Sequence, residues 1–374
     1  MKIALGMSGG VDSSLCAHLL KEQGHEVTGV YLECWRAPGC RSDEDRADAL
    51  KVALSLGLPF EVLDFKDAYR DKVVEYFFAE YKAGRTPNPD VLCNKEIKFG
   101  MFYDWAMHNG FDAIATGHYA QTSEVGELFI PADTHKDQTY FLYLLTSAQL
   151  KHVIFPLAQL TKEQVRTFAD KRGIHVARKA DSVGICFIGD INVHAFLKER
   201  LGEHPGEVVD TKGTVIGRHT GLWFYTIGQR HGFEIDKKSA FTSADGQIEE
   251  RENFPPFYVI RKDALKNQLI VGFGAETFQK EFSIRDLHWL AGVAPASLEH
   301  LVVRIRHTGA LLPCSVTIDG STAHISLNKP TQGIAEGQSA VLYQKNATGN
   351  MLCLGGGPID WADAPLDAGA IVPL

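Results

Sequence analysis

No stretch of this chain is long and apolar enough to cross a bilayer, and nothing ahead of the first strand reads as a signal peptide. No Cys-x-x-Cys or Cys-x-x-x-Cys pair occurs among its seven cysteines, at 16, 34, 40, 93, 186, 314 and 353. An odd, scattered set argues against a disulfide framework or a zinc knuckle and for reduced thiols in the cytoplasm. No long basic run exists, and the net charge of −8 excludes indiscriminate nucleic-acid binding. Any RNA site must be assembled from residues distant in sequence. Internal repeats are absent. What remains is ordinary for a globular protein: 374 residues, enough for two or three domains, 45% hydrophobic and 22% charged.

The most informative segment is Gly6-Met7-Ser8-Gly9-Gly10-Val11-Asp12-Ser13. Apolar Lys2-Ile3-Ala4-Leu5 ahead of it reads as a buried parallel strand. Ser13 to Leu20 behind it has helical spacing, and Gly24 ends the helix. Glycines let the backbone approach an anion, and the free N–H groups and dipole of the helix start favour phosphate. Ser8 and Ser13 add hydroxyl donors. The segment has no lysine, so it is not the Gly-x-x-x-x-Gly-Lys-Ser/Thr loop, nor does it carry a dinucleotide Gly-x-Gly-x-x-Gly pattern. It resembles the loop of the ATP pyrophosphatases, which cleave ATP between the α and β phosphates and adenylate a carbonyl oxygen.

Strand and helix signals alternate through the first third. Strands are expected at His25–Leu32, Pro59–Phe65 and Ala113–His118. Helices are expected over 42–55, capped by Ser42, over 68–81, and from about Lys95 to His108. This pattern predicts an α/β fold with a doubly wound parallel sheet, whose ligands gather at the carboxyl ends of the strands. After about residue 205, short strands dominate, including Gly221–Ile227, Phe257–Ile260, Leu269–Val271 and five segments between Val302 and Leu354. Three domains are therefore expected: a catalytic domain over 1–205, a small β domain over 206–280 and a C-terminal β-barrel over 281–374. Polar, charged 236–256 reads as a flexible insertion.

Two thiols stand apart from the rest. Cys93 follows a Pro-Asn-Pro-Asp turn near an expected helix start, with Lys95 and Lys98 close, which predicts a lowered pKa and more thiolate there. Cys186 lies between Gly184 and Gly189 in what reads as a tight, mobile loop. The other five fit small buried hydrophobes, with Cys34 and Cys40 flanking a loop near the nucleotide segment.

Seven segments then occur in order: the 6–13 loop, Thr86-Pro87-Asn88-Pro89-Asp90-Val91-Leu92-Cys93-Asn94, Ala115–Tyr119, Lys136–Leu142, Gly184–Gly189, Phe224–Arg230 and Leu354–Gly357. The set spans nearly the whole chain and resembles the bacterial tRNA-specific 2-thiouridylases, whose nucleotide domain is adenine nucleotide α-hydrolase-like. That resemblance implies ATP, with Mg2+ expected and no tightly bound metal or cluster. Its partners would be tRNA, through the anticodon stem-loop and wobble uridine, and a persulfide-donating sulfur carrier or cysteine desulfurase, with no membrane.

The resemblance also implies residue roles. Gly6, Met7, Ser8, Gly9, Gly10, Val11, Asp12, Ser13, Leu32 and Gly117 would bind ATP. Cys186 would carry the persulfide, Cys93 would close a disulfide with it, and Asp90 would be the acid/base. Asn88, Pro89 and Asp90 would line the target-base pocket, and His118, Lys136, Asp137, Gln138, Arg304, Ile305 and Gln338 would contact tRNA. A flipped base is implied. The chain departs from many relatives at the end of strand two, which reads Leu32-Glu33-Cys34-Trp35 where Met-Lys-Asn is common. Two other classes share the nucleotide loop. An ATP-dependent ligase or amidotransferase would not need two placed thiols. A non-catalytic tRNA-binding relative should have lost Ser8, Asp12 or a cysteine, and all are present.

Overall fold

The computed structural model describes residues 1–36, 40–181, 184, 186–188, 192–236, 241–242, 248–249 and 256–361. Five parallel strands form the first sheet: β1 (Lys2–Gly6), β2 (Glu26–Glu33), β3 (Phe60–Asp64), β4 (Ala113–Ala115) and β5 (Val153–Ile154), in the order β3-β2-β1-β4-β5. The central strands β1 and β4 are almost wholly apolar because helices cover both faces, whereas the edge strand β3 leaves Glu61 and Val62 exposed. Ile3, Ala4 and Leu5 are fully buried. The order reverses between β1 and β4, which places the binding crevice beyond their carboxyl ends.

Helix α1 (Val11–Glu22) follows β1 directly, and α2 (Ser42–Ser55) follows β2. Ser42 is the first residue of α2 and does not cap it. Arg41 takes the cap position without a side-chain bond, so the acidic first turn at 43–45 does the electrostatic work instead. The helix expected from Lys95 starts earlier. Pro89–Leu92 is α-helical, Cys93–Met101 continues with wide π turns, and Phe102–His108 completes it. Pro89 suits a first helical turn, since its missing N–H would have no partner there. Cys93 is therefore a mid-helix residue. The expected strand 113–118 stops at Ala115, and the chain leaves the sheet at Thr116.

Beyond the sheet, Gly206–Val209, Val215–His219, Glu234–Ile235, Tyr258–Asp263 and Gln268–Gly272 make a small sheet. The expected strand at 221–227 is instead a 3-10 turn over Leu222–Phe224, made possible by Gly221 at a φ of 156°. Most of the 236–256 segment lies outside the described residues. The last sheet joins Phe278–Ile284, Val302–Arg304, Leu312–Asp319, Thr322–Gln332, Ser339–Lys345 and Met351–Asp360. It also takes two short strands from the first third, Gln121–Thr122 and Leu128–Phe129, the latter pairing with Leu352 and Cys353. One hydrophobic cluster accordingly holds Tyr140 and Tyr143 together with Val341, Tyr343 and Cys353, tying barrel to nucleotide domain.

Candidate active site

The 6–13 loop folds as its glycines require. The Met7 N–H donates to the Val30 carbonyl at 2.8 Å, which docks the loop on β2. Gly9 turns with a φ of 73°, and a Cβ there would meet the Asp45 carbonyl oxygen at 2.1 Å. Gly10 occupies the cap of α1 with no side-chain bond, so the N–H groups of the first turn are left for a ligand. Ser8 and Ser13 face one another at 3.3 Å between their hydroxyls. Gly117, just past β4, packs so closely that a Cβ would lie 2.9 Å from the Ser13 nitrogen. Leu32, near the end of β2, is buried. Glu33 does not leave a bare charge beside the site, for Lys66 pairs with it at 2.9 Å.

Cations missing from the loop arrive from 160–181. Lys162 donates to both oxygens of Asp12, at 2.7 and 2.8 Å, and lies 2.9 Å from Asp181. Tyr119 donates its hydroxyl to Asp12 at 2.9 Å. Asp181 also takes Lys136 at 2.7 Å and Arg166 at 2.6 Å. Burial works against the charge on Asp181, but Lys136 and Lys162 outweigh it and hold its carboxyl at about 2. On the loop's other flank, Lys179 donates to the Gly9 carbonyl at 3.0 Å and to Asp45 and Asp48, each at 2.7 Å. Sequence reading missed Lys162, Arg166 and Lys179. No local motif marks them: Lys162 and Lys179 act on a loop 150 and 170 residues away, and Arg166 acts through Asp181 and the backbone at Ala177 and Lys179.

Cys93 and Cys186 meet, with sulfurs 3.4 Å apart and Cys93 donating. Two features aim Cys186. Its N–H donates to Asp90 at 2.9 Å, and its carbonyl accepts from Tyr69 at 2.5 Å. Phe187 next to it has a φ of 64°, a strained backbone for an aromatic residue, held by ring contact with Tyr69 at 5.9 Å. The thiolate expectation for Cys93 is reversed. Burial, and its bond to Cys186, push the Cys93 thiol well up, whereas the bond from Cys93, aided by Lys98 against burial, lowers Cys186. Position decides it: Cys93 sits inside its helix, fully buried, and gains nothing from a helix start. Burial raises the Asp90 carboxyl. Cys34 belongs to the same buried cluster, and its thiol is pushed up by burial and then by Cys186. Lys98 reaches toward His118 Nε2 at 3.5 Å, while Thr116 bonds Nδ1 at 2.8 Å. Burial and then Lys98 hold that imidazole neutral. From the thiols, Lys98, His118 and Gly117 thus lead in contact to the start of α1.

The remaining expected residues scatter in environment. Asn88 lines a cleft of about 510 Å3 between the Cys93 helix and the barrel residues Arg285, Asp286 and His288. Pro89 opens that helix. Lys136 is 42% exposed. Asp137 and Arg304 instead form a buried ion pair between the nucleotide domain and the barrel, with Thr139 also donating to Asp137 at 2.7 Å. Ile305 is buried beside them in sequence. Gln138 accepts from the Tyr119 N–H at 2.9 Å. Gln338 donates to the carbonyls of Thr86 and Pro87, at 3.1 and 3.2 Å, and so braces the Pro-Asn-Pro-Asp turn.

Three family models match this chain: a tRNA methyl transferase HUP domain over residues 1–190, a tRNA methyl transferase PRC-barrel domain over 194–273 and an aminomethyltransferase beta-barrel domain over 279–359. Curated relatives agree along the whole length. The tRNA-specific 2-thiouridylase MnmA of Listeria monocytogenes serotype 4a is 43% identical over 96% of this chain and 95% of its own. That of Lacticaseibacillus paracasei is 42% identical over 97% and 95%, and that of Lactococcus lactis subsp. cremoris 41% over 96% and 95%. At such identity and coverage, and with the three domain models matched in order, the chain belongs to the tRNA-specific 2-thiouridylase family.

Proposed function

We propose that this chain is an ATP-dependent tRNA-uridine 2-sulfurtransferase that replaces the C2 oxygen of a wobble uridine with sulfur, releasing AMP and pyrophosphate. The observation that carries the reading is the Cys93–Cys186 pair, one thiol lowered and one raised, connected by short contacts to an empty-handed helix start behind a Ser-Gly-Gly loop. The division at 205 and 280 belongs to the same reading, with nucleotide chemistry in the first part and RNA contact shared with the last.

Uracil O2 is a poor leaving group. Its lone pair attacks the α-phosphorus of ATP, and the α–β bond breaks with its electrons on pyrophosphate. Gly6 to Ser13, Leu32 and Gly117 hold the nucleotide. Mg2+ arriving on a triphosphate needs only one or two protein carboxylates, and Asp12 at the loop mouth suits that. Cys186, charged beforehand as a persulfide by a sulfur carrier or cysteine desulfurase, attacks C2 with its outer sulfur. AMP departs with the old oxygen. Cys93 then attacks the inner sulfur, so the two cysteines become a disulfide and the outer sulfur stays on the base. A later thiol donor must reduce that disulfide. Asp90 orients Cys186 through its N–H, and its raised carboxyl can carry a proton during the exchange.

Asn88, Pro89 and Asp90 would receive the flipped base, and the 510 Å3 cleft beside Asn88 has room for one. Lys136 is the readiest phosphate contact. His118, Asp137, Gln138, Arg304, Ile305 and Gln338 would act more by holding that surface than by reaching from it, given their burial or bonding. The site of action would be the cytoplasm; among the described residues, no helix is long and apolar enough to cross a membrane.

The test is pyrophosphate release with and without tRNA, followed by mass spectrometry of the digested tRNA. We expect release only with tRNA and 2-thiouridine only with a persulfide donor. Cys186→Ser should retain tRNA binding and make no 2-thiouridine. Release driven by a small carboxylate or ammonia instead would point to a ligase, and 2-thiouridine made normally by Cys186→Ser would remove the central role of that thiol.

A further inference from the structure

We infer that Lys162 is the cation the phosphate loop lacks: it leaves Asp12 to meet the β and γ phosphates of ATP, and so positions the departing pyrophosphate. The inference rests on the ATP reading above. Three observations carry it.

First, the loop supplies backbone N–H groups and two hydroxyls but no positive side chain between residues 6 and 13. A triphosphate carries several negative charges, and the P–O bond that breaks delivers one more to the leaving group. Preorganised positive charge where negative charge develops is the usual largest contribution to such a step.

Second, among the described residues, only one flank of the loop offers a lysine to a ligand. Lys179 is spent on the Gly9 carbonyl and two carboxylates of α2, and on that side the backbone of Asp45 seals the loop against Gly9. Lys162 instead bonds to Asp12, a residue of the loop itself, and its side chain is 13% exposed. When a phosphate-borne cation or the phosphates themselves approach Asp12, the ammonium needs to move only from carboxylate to phosphate oxygen.

Third, the backbone of Lys162 is held still while its ammonium is shared between two carboxylates. Thr161 and Gln164 form a reciprocal cap around it, and the Lys162 N–H donates to Asp133 at 2.8 Å. Asp181 keeps a second hold on the ammonium at 2.9 Å, so the side chain stays at the mouth when Asp12 lets go. Asp181 also binds Lys136 at 2.7 Å and Arg166 at 2.6 Å, so it stays anchored when Lys162 shifts.

Binding of AMP and of α,β-methylene-ATP separates this role from a structural one, because AMP lacks the phosphates that Lys162 would meet. Lys162→Met should bind AMP as the unaltered protein does and bind the analogue about 10-fold more weakly. Its tRNA-dependent pyrophosphate release at saturating ATP should fall about 100-fold. Lys162→Arg should restore most of both. Equal losses for AMP and analogue would mean that Lys162 merely props the loop, and no change in either would remove it from the site. A measurement on the unaltered protein does not depend on the variant folding. Acetylation of Lys162 by an amine-reactive ester, read by mass spectrometry, should be blocked by the analogue and not by AMP. Equal labelling in both states would overturn the inference. Failure of the unaltered protein to bind the analogue at all would instead refute the ATP reading beneath it.

Discussion

A single hydrogen bond divides labour between the two thiols. Cys93 donates to Cys186 and is fully buried, so one sulfur stays protonated while the other is biased to thiolate. Iodoacetamide should therefore carbamidomethylate Cys186 before Cys93, with a pH midpoint below the ordinary thiol value of 9.0. Cys93→Ala removes the larger cause of that lowering, so the midpoint should move up, as it should more weakly in Lys98→Met. Peptide mapping across pH checks this, and labelling of Cys93 first would contradict the assignment. Lys262 is a second instructive residue. Its Nζ is buried with no hydrogen-bond partner among the described residues, and burial, opposed by the weaker pull of Glu336, brings its pKa down to about 7. A lysine lowered in the fold but ordinary when unfolded costs stability as pH falls from its unfolded value toward about 7. Below that, the buried amine must be charged. Lys262→Met should thus raise the thermal midpoint at pH 7, by about 1–3 kcal/mol of stability, and calorimetry at pH 7 and pH 9 should show the gain shrinking at the higher pH.

At the scale of elements, the phosphate loop works because β1, α1 and α2 converge on a turn that only glycine can make. Gly9 and Gly10 look equivalent in sequence and are not. A Cβ on Gly9 would run into the Asp45 backbone at 2.1 Å with φ at 73°, whereas one on Gly10 would touch only the Ser8 hydroxyl at 3.6 Å. Gly9→Ala should abolish the thermal shift produced by an ATP analogue, because the loop or α2 must move. Gly10→Ala should keep most of it. Equal behaviour of the two variants would mean that the turn does not set the cradle. The helix from Pro89 to His108 tells a related story. A reader of sequence sees the helix begin after Cys93, where the charged residues start. The helix in fact starts inside the Pro-Asn-Pro-Asp segment, at Pro89 with Asn88 as its cap, so Asp90 and Cys93 stand three apart on one face, as helical spacing demands.

Across the whole molecule, the barrel is joined to the nucleotide domain through buried polar contacts as well as apolar ones. Arg304 and Asp137 pair with side chains 7% and 1% exposed, and the guanidinium lies over the Tyr343 ring at 5.3 Å. Removing one partner strands a buried charge, so Arg304→Met should cost about 3–5 kcal/mol. Asp137→Asn together with Arg304→Met should recover part of it. Urea denaturation of the two single variants and the double variant gives the coupling directly. An Arg304→Met protein of unchanged stability that no longer binds tRNA would mean that the side chain serves RNA and not the joint.

How much of this was legible beforehand follows from range. Segments that fold on their own neighbours were readable: the strand, glycine turn and helix of residues 2–24, the βαβ alternation, and the late run of short strands, since period and turn chemistry are local. The ordered motifs, Cys93 and Cys186 among them, were readable for the same reason, and so was the family they signal. Which thiol is the thiolate was not, because burial and a bond across 93 positions outweigh the lysines nearby in sequence. Nor could the sequence place Lys162 on Asp12, turn Arg304 inward to Asp137, or add residues 121–129 to the barrel sheet. Those contacts depend on which surfaces the finished fold brings together, where charge must find charge and every strand edge a partner.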